Sequence, residues 1–377
     1  MTLNAATTVS VTHGVTAGGM ATINANGGTL DLGSLDAGTD AALAASGAIV
    51  LRGAGTAGGD LSLVSSAGSI TATSLTADGA VALRAVGAIA ADEVEAGADL
   101  AMRSSGGAIT VAAVNAGAGG TIEAAGPVSL DAVTAGSDGF RVTSSTSAIT
   151  LGTLLTSGDA SLVASGALSA GTLTARNLAA TSAAAALSFT TVDASANATL
   201  QAATNLSIVR LASGASARLA AGGSIAAGSL MAQQDLDLSA GAGMTLGSGS
   251  ARAGGIAIVS QGGVIFGDSL DAAGAVALRS QGDLAFDTVK GGTDVALQSA
   301  AGTIRVGTLT SGRDADLQAR SIAFELVDAG RSATISADGD ITGARVVATD
   351  ELALQAGRSG QGSITVDIGA ARKAVIG

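Results

Sequence analysis

Cysteine, tryptophan and tyrosine are absent from this 377-residue chain, which has one histidine, one proline and only five phenylalanines. The lack of cysteine excludes disulfides and zinc–thiolate sites. Enzymes that cleave polysaccharides need clustered carboxylates, and they commonly stack sugars on tryptophan or tyrosine. The charged residues of this sequence are scattered, so we expect no catalytic residues, no cofactor-binding residues and no enzyme.

The charge balance is acidic, with 18 basic against 30 acidic residues and a net charge of −12. Such a surface disfavours nucleic acid as a partner. Hydrophobic residues make up 47% of the chain, yet no run is long enough for a transmembrane helix. No signal-peptide pattern follows Met1. We therefore expect no nucleic-acid partner and no membrane span, and a chain that is either an internal piece or exported by another signal.

A short apolar alternation returns every 19 to 20 residues or so, the kind of fixed period that marks a solenoid. The stretch "AGGDLSLVSSAGSITATSL" (57–75) shows it, and "DGAVALRAVGAIAADEV" (78–94) repeats it. The inner apolar residues of this alternation, here called anchors, are Leu3, Ile23, Leu43, Leu63, Leu83, Met102, Ile122, Val142, Leu162, Ala180, Leu200, Leu219, Leu238, Ile258, Leu278, Leu297, Leu317, Ile335 and Leu354.

Each period holds three short runs with period-two alternation, separated by glycine-rich breaks, and leaves no room for a helix. This pattern predicts an all-β, right-handed parallel β-helix of about 19 coils with three short strands per coil. Composition is uniform along the chain, so we expect a single continuous β-helix shaft over 1–377, whose cadence weakens after about 355.

Two further columns follow from counting forward from the anchors. Six residues on, an inward apolar column is predicted at Ile49, Ile89, Val128, Leu168, Leu206, Ile225, Met244, Val264, Leu284 and Ile341. Eight residues on, Phe266 and Phe286 fall in one column of consecutive coils, with Phe189 and Phe324 in the same column. We therefore expect Phe266 and Phe286 to be buried and stacked on each other.

Acidic or amide residues recur three positions before the anchors, at Asp40, Asp60, Asp99, Asp159, Asp235, Asp294 and Asp314, with Asn177 and Asn197 in the same slot. One interpretation is a ladder of calcium sites along a corner. The favoured one is that these side chains accept hydrogen bonds from nearby backbone N–H groups at the turn, because the glycine-rich nonapeptide of calcium-binding β-rolls is absent.

Three further patterns favour simple structural interpretations. "GAGTAG" (53–58) fits a dinucleotide fingerprint but is followed by a strand rather than a helix, which favours a glycine-rich corner. His13 has no partner motif and is expected at a surface or corner. Asn197-Ala-Thr and Asn205-Leu-Ser are glycosylation sequons at near-chance frequency in so Ser- and Thr-rich a chain. We expect no metal site.

The phrase in "AGGDLSLVSSAGSI" (57–70), repeated more loosely in "AGADLAMRSSGGAI" (96–109) and "GGTDVALQSAAGTI" (291–304), resembles the repeats of filamentous haemagglutinin-like exoproteins. These are the large adhesins of two-partner secretion in Gram-negative bacteria, and the likeness covers about residues 1–355. The family's N-terminal secretion domain is missing from this sequence.

The resemblance implies a structural fibre shaft, secreted or at the cell surface, with a host or neighbouring-cell receptor or glycan bound by regions outside this chain. The alternatives are a self-polymerising scaffold like a bactofilin filament and, ranked last, a polysaccharide-active β-helix enzyme. Because the cadence starts at Leu3 and no cap is evident in "DIGAARKAVIG" (367–377), we also expect end-to-end self-association or continuation into a longer chain.

Overall fold

The computed structural model describes residues 1–357 and 361–377, and these residues form an all-β parallel solenoid of about 20 turns, without a helix. The chain divides into two compact units, Met1–Ser188 (unit 1) and Phe189–Gly377 (unit 2). None of the described residues belongs to a helix that is long and apolar enough to cross a membrane. The expected fold class, with three strands per coil, is confirmed.

The strands up to Ser182 lie in unit 1. They are β1 (Thr2–Ala5), β2 (Val9–Val11), β3 (Val15–Ala17), β4 (Ala21–Ala25), β5 (Leu30–Leu32), β6 (Leu35–Ala37), β7 (Ala41–Ala45), β8 (Ile49–Ala57), β9 (Leu61–Ser65), β10 (Ile70–Ala77), β11 (Val81–Ala85), β12 (Ile89–Ala96), β13 (Leu100–Ser104), β14 (Ile109–Ala116), β15 (Gly119–Ala124), β16 (Val128–Ala135), β17 (Gly139–Ser144), β18 (Ile149–Thr156), β19 (Ala160–Ala164), β20 (Leu168–Ala175) and β21 (Leu178–Ser182).

The strands from Leu187 onwards complete the described chain. They are β22 (Leu187–Ala194), β23 (Ala198–Ala202), β24 (Leu206–Ser213), β25 (Ala217–Ala221), β26 (Ile225–Ala232), β27 (Leu236–Ala240), β28 (Met244–Ala251), β29 (Ile256–Ser260), β30 (Ile265–Ala272), β31 (Val276–Ser280), β32 (Leu284–Gly291), β33 (Val295–Ser299), β34 (Thr303–Ser311), β35 (Ala315–Ala319), β36 (Ser321–Ala329), β37 (Ser332–Ala337), β38 (Ile341–Ala348), β39 (Glu351–Gln355), β40 (Ile364–Ala370) and β41 (Lys373–Ile376).

Most coils consist of one five-residue strand and one eight-residue strand. The long strand contains the third corner. In β10, for example, Ile70 and Ala72 point inward, two residues then face outward, and Leu75 and Ala77 point inward again. In the first two coils the same two runs are separate strands, β2 with β3 and β5 with β6. A triangular coil therefore arises from short alternations interrupted at fixed places.

Within each unit, strands pair in parallel with their equivalents one coil away, and the anchors are register partners. Leu43 pairs with Leu63 and Leu63 with Leu83 in unit 1, and Leu278 pairs with Leu297 in unit 2. All anchors after Leu3 are buried. A slip of one residue would turn a column of these aliphatic side chains to solvent, which is why the register is strongly specified.

The repeat pattern was expected to weaken after about residue 355, but the last two strands still pair with strands of the preceding coil. Residues 358–360 lie outside the described residues. Beyond them β40 pairs with β38 and β41 with β39, so that Leu354 is the partner of Ile376. The register shifts between β38 and β40, and most side chains of the two final strands are exposed.

The predicted phenylalanine stack is wrong at Phe266. Ile265, and not Val264, is the register partner of Met244 and Leu284, so Phe266 points outward and is 42% exposed. The cause is the corner after Ser260, which has one residue more than the corner on which the count of six was based. Phe286 is buried as predicted, and so are Phe189 and Phe324, which were assigned to the same column.

Three of the buried phenylalanine rings lie over glycines of a neighbouring coil and not over one another. Phe286 is the register partner of Gly267, and a Cβ at that glycine would lie 2.3 Å from the ring. Phe324 faces Gly343 in the same way, and Phe140 faces Gly120. The narrow interior thus accepts a large ring where the next coil has no side chain, which keeps its volume filled without overlap.

This complementarity predicts a reciprocal effect on stability. Phe286→Ala should lower the free energy of unfolding by ~3–5 kcal/mol, because it leaves a cavity. Gly267→Ala should cost ~1–3 kcal/mol, because its methyl group overlaps the ring. In the double variant the methyl group has room, so the two losses should not add. Urea denaturation of the four chains measures this coupling, and strictly additive losses would contradict the proposed contact.

Candidate functional site

Aspartates of the column expected at the corner accept hydrogen bonds from backbone N–H groups, but the donors lie on the next coil and not in the same turn. Asp40 Oδ1 accepts a hydrogen bond from Asp60 N at 3.0 Å, and Asp60 Oδ1 accepts one from Ala80 N at 2.8 Å. Asp235 and Asp294 accept from Gly255 N and Asp314 N in the same way. The donor lies on the next coil in each case, so these carboxylates join coils. Asp99 forms no side-chain hydrogen bond within residues 1–357 and 361–377.

A second column with the same chemistry, which was not predicted from the sequence, is located just before the long strand. Asn205 Oδ1 accepts from Ser224 N at 2.9 Å, Asp283 Oδ1 from Thr303 N at 2.7 Å and Asp340 Oδ1 from Ser363 N at 2.8 Å. Asn197 Oδ1 accepts from Ser216 N, so both sequon asparagines bind backbone of the next coil. The signal that could have found this column was the Asn or Asp directly before an inward apolar residue.

Buried serines form a third column, at the end of the five-residue strands. Ser104 Oγ donates to Gly87 O of the preceding coil at 2.7 Å and accepts from Gly107 N of its own corner at 3.0 Å. The same pair of bonds occurs at Ser65, Ser144, Ser182, Ser260 and Ser299. Each of these corners has four residues before the next inward apolar residue, whereas most corners that begin with alanine have three.

From Ala45 to Ser182 the two corner types alternate, which gives unit 1 a two-coil repeat within the single-coil one. Three residues follow Ala85 before Ile89, whereas four follow Ser104 before Ile109. The additional residue brings an additional buried N–H group, and the serine hydroxyl satisfies such a group.

Ser104→Ala should therefore be more destabilising than its small size suggests. The substitution leaves the partly buried Gly107 N–H and Gly87 C=O without the hydroxyl, at a cost of ~1–3 kcal/mol. The neighbouring Ser105→Ala is a matched control, because Ser105 is exposed. Thermal unfolding followed by circular dichroism measures both variants, and equal melting temperatures for the two would contradict this role.

Ion pairs also join neighbouring coils, and all of their side chains are substantially exposed. In unit 1 they are Arg52–Asp31, Arg103–Glu123 and Arg176–Asp159, and in unit 2 Lys290–Asp271, Arg313–Asp294, Arg331–Asp314, Arg372–Asp350 and Lys373–Glu351. Exposed pairs contribute only ~0–1 kcal/mol each. Each pair nevertheless joins an acidic and a basic side chain of neighbouring coils, so outward charges also follow the stacking of the coils.

Asp159 is the most strongly perturbed of these carboxylates. Hydrogen bonds from the Arg176 guanidinium and then from the Asn177 side chain lower its pKa to about 2. The ordinary pKa of an aspartate in an unfolded chain is ~3.9. Because the folded-state value is depressed, Asp159 stabilises the fold above about pH 4, and this contribution is lost as the pH falls towards 2.

Acidification should therefore weaken the fold in that window. Between about pH 5 and pH 2.5 the melting temperature should fall, and Asp159→Asn should make the fall shallower because the neutral amide does not titrate. Asp237→Asn is the control, because Asp237 is exposed and forms no ion pair among the described residues. A pH profile that is identical in Asp159→Asn and the natural chain would contradict the assignment.

The remaining sequence candidates fall outside any cluster. "GAGTAG" (53–58) lies mostly within the strand β8, and its Gly55 is the register partner of Leu75. His13 is exposed, and its Nδ1 is 3.2 Å from Thr12 Oγ1. The described residues contain no group of three or more histidine, aspartate or glutamate side chains that could hold a metal ion.

A surface groove on unit 2 was not expected from the sequence. It is an open groove of about 820 Å3 on unit 2, here called the Phe266 groove, where the long strands β28, β30, β32, β34, β36 and β38 bend. Its outward column consists of Thr245, Phe266, Ala285, Arg305, Ala323 and Thr342, which are register partners in that order.

Acidic side chains line one side of this groove, at the outward position two residues further along each strand. The flanking register pairs align Asp268 with Asp287, Asp287 with Gly307 and Gly307 with Glu325. None of the three carboxylates forms a hydrogen bond or an ion pair with another part of the described chain. The floor is apolar, because Gly267 and Gly343 leave the buried Phe286 and Phe324 rings beneath it.

This arrangement can bind but has no catalytic constellation. The groove combines an exposed aromatic ring, an apolar floor, three carboxylates and one guanidinium, that of Arg305. Phe266 was predicted to lie in the interior, so the groove could not be found from the sequence. A comparison of the chain with protein-family models, with curated proteins and with solved structures gives no match.

Proposed function

We propose that this chain is a length of the shaft of a secreted or surface-anchored bacterial exoprotein of the filamentous haemagglutinin-like type, without enzymatic activity. A β-solenoid scaffold fits a structural fibre or shaft role. In this proposal the receptor or glycan is bound by other regions, and the chain itself acts as a stiff spacer at the surface of a Gram-negative cell.

The observation that carries the proposal is that polar residues within each unit repeatedly serve to join coils. The corner carboxylates and amides accept backbone N–H groups of the next coil, and the buried serines donate to the preceding one. Outward charges pair across coils as well. The stacking itself thus employs most of the residue types that a catalytic site would need.

The cellular location of the protein distinguishes a surface shaft from an intracellular scaffold. Antibodies raised against the purified chain should label intact cells of the source organism, and protease added to those cells should remove the signal. A periplasmic or cytosolic protein probed in the same cells is the control for leakage. Labelling that appears only after the cells are permeabilised would contradict a surface shaft.

The second candidate is a scaffold that polymerises through coil edges, favoured by how the outermost strands pair. Within the described residues β1 pairs only with β4, and β41 only with β39. A strand paired on one side presents N–H and C=O groups on the other, and these can pair with another chain. Val375 and Ile376 in β41 are half-exposed.

Self-association should therefore rise with concentration and depend on the edge. The sedimentation coefficient of the chain should increase across a concentration series, and Val375→Lys should suppress the increase, because charge at an edge strand disfavours pairing. Val209→Lys is the matched control, since Val209 is exposed away from that edge. A monomer at every concentration, or equal association of both variants, would contradict edge-to-edge assembly.

A further inference from the structure

Coil stacking does not explain the Phe266 groove of unit 2. Phe266 is 42% exposed, whereas Phe286, one coil away, and Phe324, three coils away, are 5% and 7% exposed. An outward polar residue would serve stacking equally well at this position, as Thr245 and Thr342 do in the same column. An exposed ring over an apolar floor is typical of a surface that another molecule covers.

The charges of the groove point to a cationic occupant. Asp268 and Asp287 lie side by side at the coil spacing of ~4.8 Å, where like charges repel. Glu325 continues the line two coils further on. Elsewhere on this unit, carboxylates such as Asp271 and Asp294 have a basic partner on a neighbouring coil. Within the described residues Arg305 lines the groove but forms no ion pair with these carboxylates, and a bound cation would relieve the repulsion between Asp268 and Asp287.

The spacing selects an extended peptide. Asp268 and Glu325 are three coils apart, or ~14 Å at the coil spacing. In an extended peptide, side chains four positions apart point to the same side and are separated by ~13–14 Å. The outward column from Thr245 to Thr342 covers five coil steps, ~24 Å, which an extended segment of about seven residues would occupy.

We propose that the Phe266 groove binds an extended peptide segment with two arginine or lysine residues four positions apart. One basic side chain lies against Asp268 and Asp287 and over the face of the Phe266 ring, as in a cation–π contact. The other pairs with Glu325. Arg305 lies in the outward column between these places and disfavours a third basic side chain, so the groove selects spaced charges over a continuous basic run.

Fluorescence anisotropy with a synthetic probe tests this inference on the full chain. The probe is a labelled peptide with two arginines four positions apart in a serine and threonine background. It should bind saturably and more weakly as salt is added. The double variant Asp268→Asn with Asp287→Asn should weaken binding about tenfold. Phe266→Ala should weaken it several-fold, because the cation loses the ring.

Matched controls separate the groove from general charge. Asp237→Asn and Val209→Ala remove a charge and an exposed apolar side chain outside the groove, and both should leave the affinity unchanged within about twofold. A peptide with the two arginines adjacent should bind more weakly than the probe, and one with glutamates in their place should not bind.

Three results would overturn the proposal. They are the absence of saturable binding, equal binding by the groove and control variants, and equal binding of the spaced and adjacent arginine peptides. Binding of dextran sulfate to the groove in preference to the peptide would also overturn it, because an anionic polymer needs the opposite charge. The result is independent of where the protein acts, so its failure leaves the proposed shaft role unaffected.

Discussion

Parallel, in-register pairing of each coil with the next is the constraint on which the other features of both units depend. The spacing of ~4.8 Å places every side chain beside its equivalent one coil away. The residues of one column must therefore match in polarity. Inside the coil the volumes of neighbouring residues must also be complementary. The Phe286–Gly267 and Phe324–Gly343 pairs show the second requirement, and the aspartates that accept the next coil's backbone N–H groups show the first.

The coils can differ in the number of residues at the corners that lie outside the paired strands. A corner can gain one residue without disturbing the strands, provided that the additional backbone N–H group is satisfied. Ser65 and Ser104 meet this condition with one hydroxyl that donates to the preceding coil and accepts within its own corner. From Ala45 to Ser182, serine at the end of the short strand thus accompanies the longer corner, which accounts for the two-coil alternation in unit 1.

The sequence predicted the fold because the anchors report directly on the inward face, and few folds besides a solenoid produce the period shared by Leu63, Leu83 and their equivalents. It predicted that the corner aspartates accept backbone N–H groups, because an Asx side chain before a strand lies close to such donors. It did not predict that the donors lie on the next coil, or that Asp159, Asp294 and Asp314 also pair with arginines. It failed at Phe266 because a fixed count cannot detect one additional corner residue after Ser260. The groove could not be predicted, because it depends on that register and on two glycines opposite buried rings.

The most direct test of the register is disulfide formation between coils, for which a chain without cysteine is well suited. Ala277 and Ala296 are exposed register partners on β31 and β33. With both replaced by cysteine, the Cα atoms should lie ~4.8 Å apart, within the range that a disulfide spans. The pair Ala277→Cys with Gln298→Cys is two residues out of register, at ~8 Å, and is beyond that range. The account predicts rapid intramolecular oxidation of the first pair and not of the second. Faster oxidation of the second pair would contradict the stacking register.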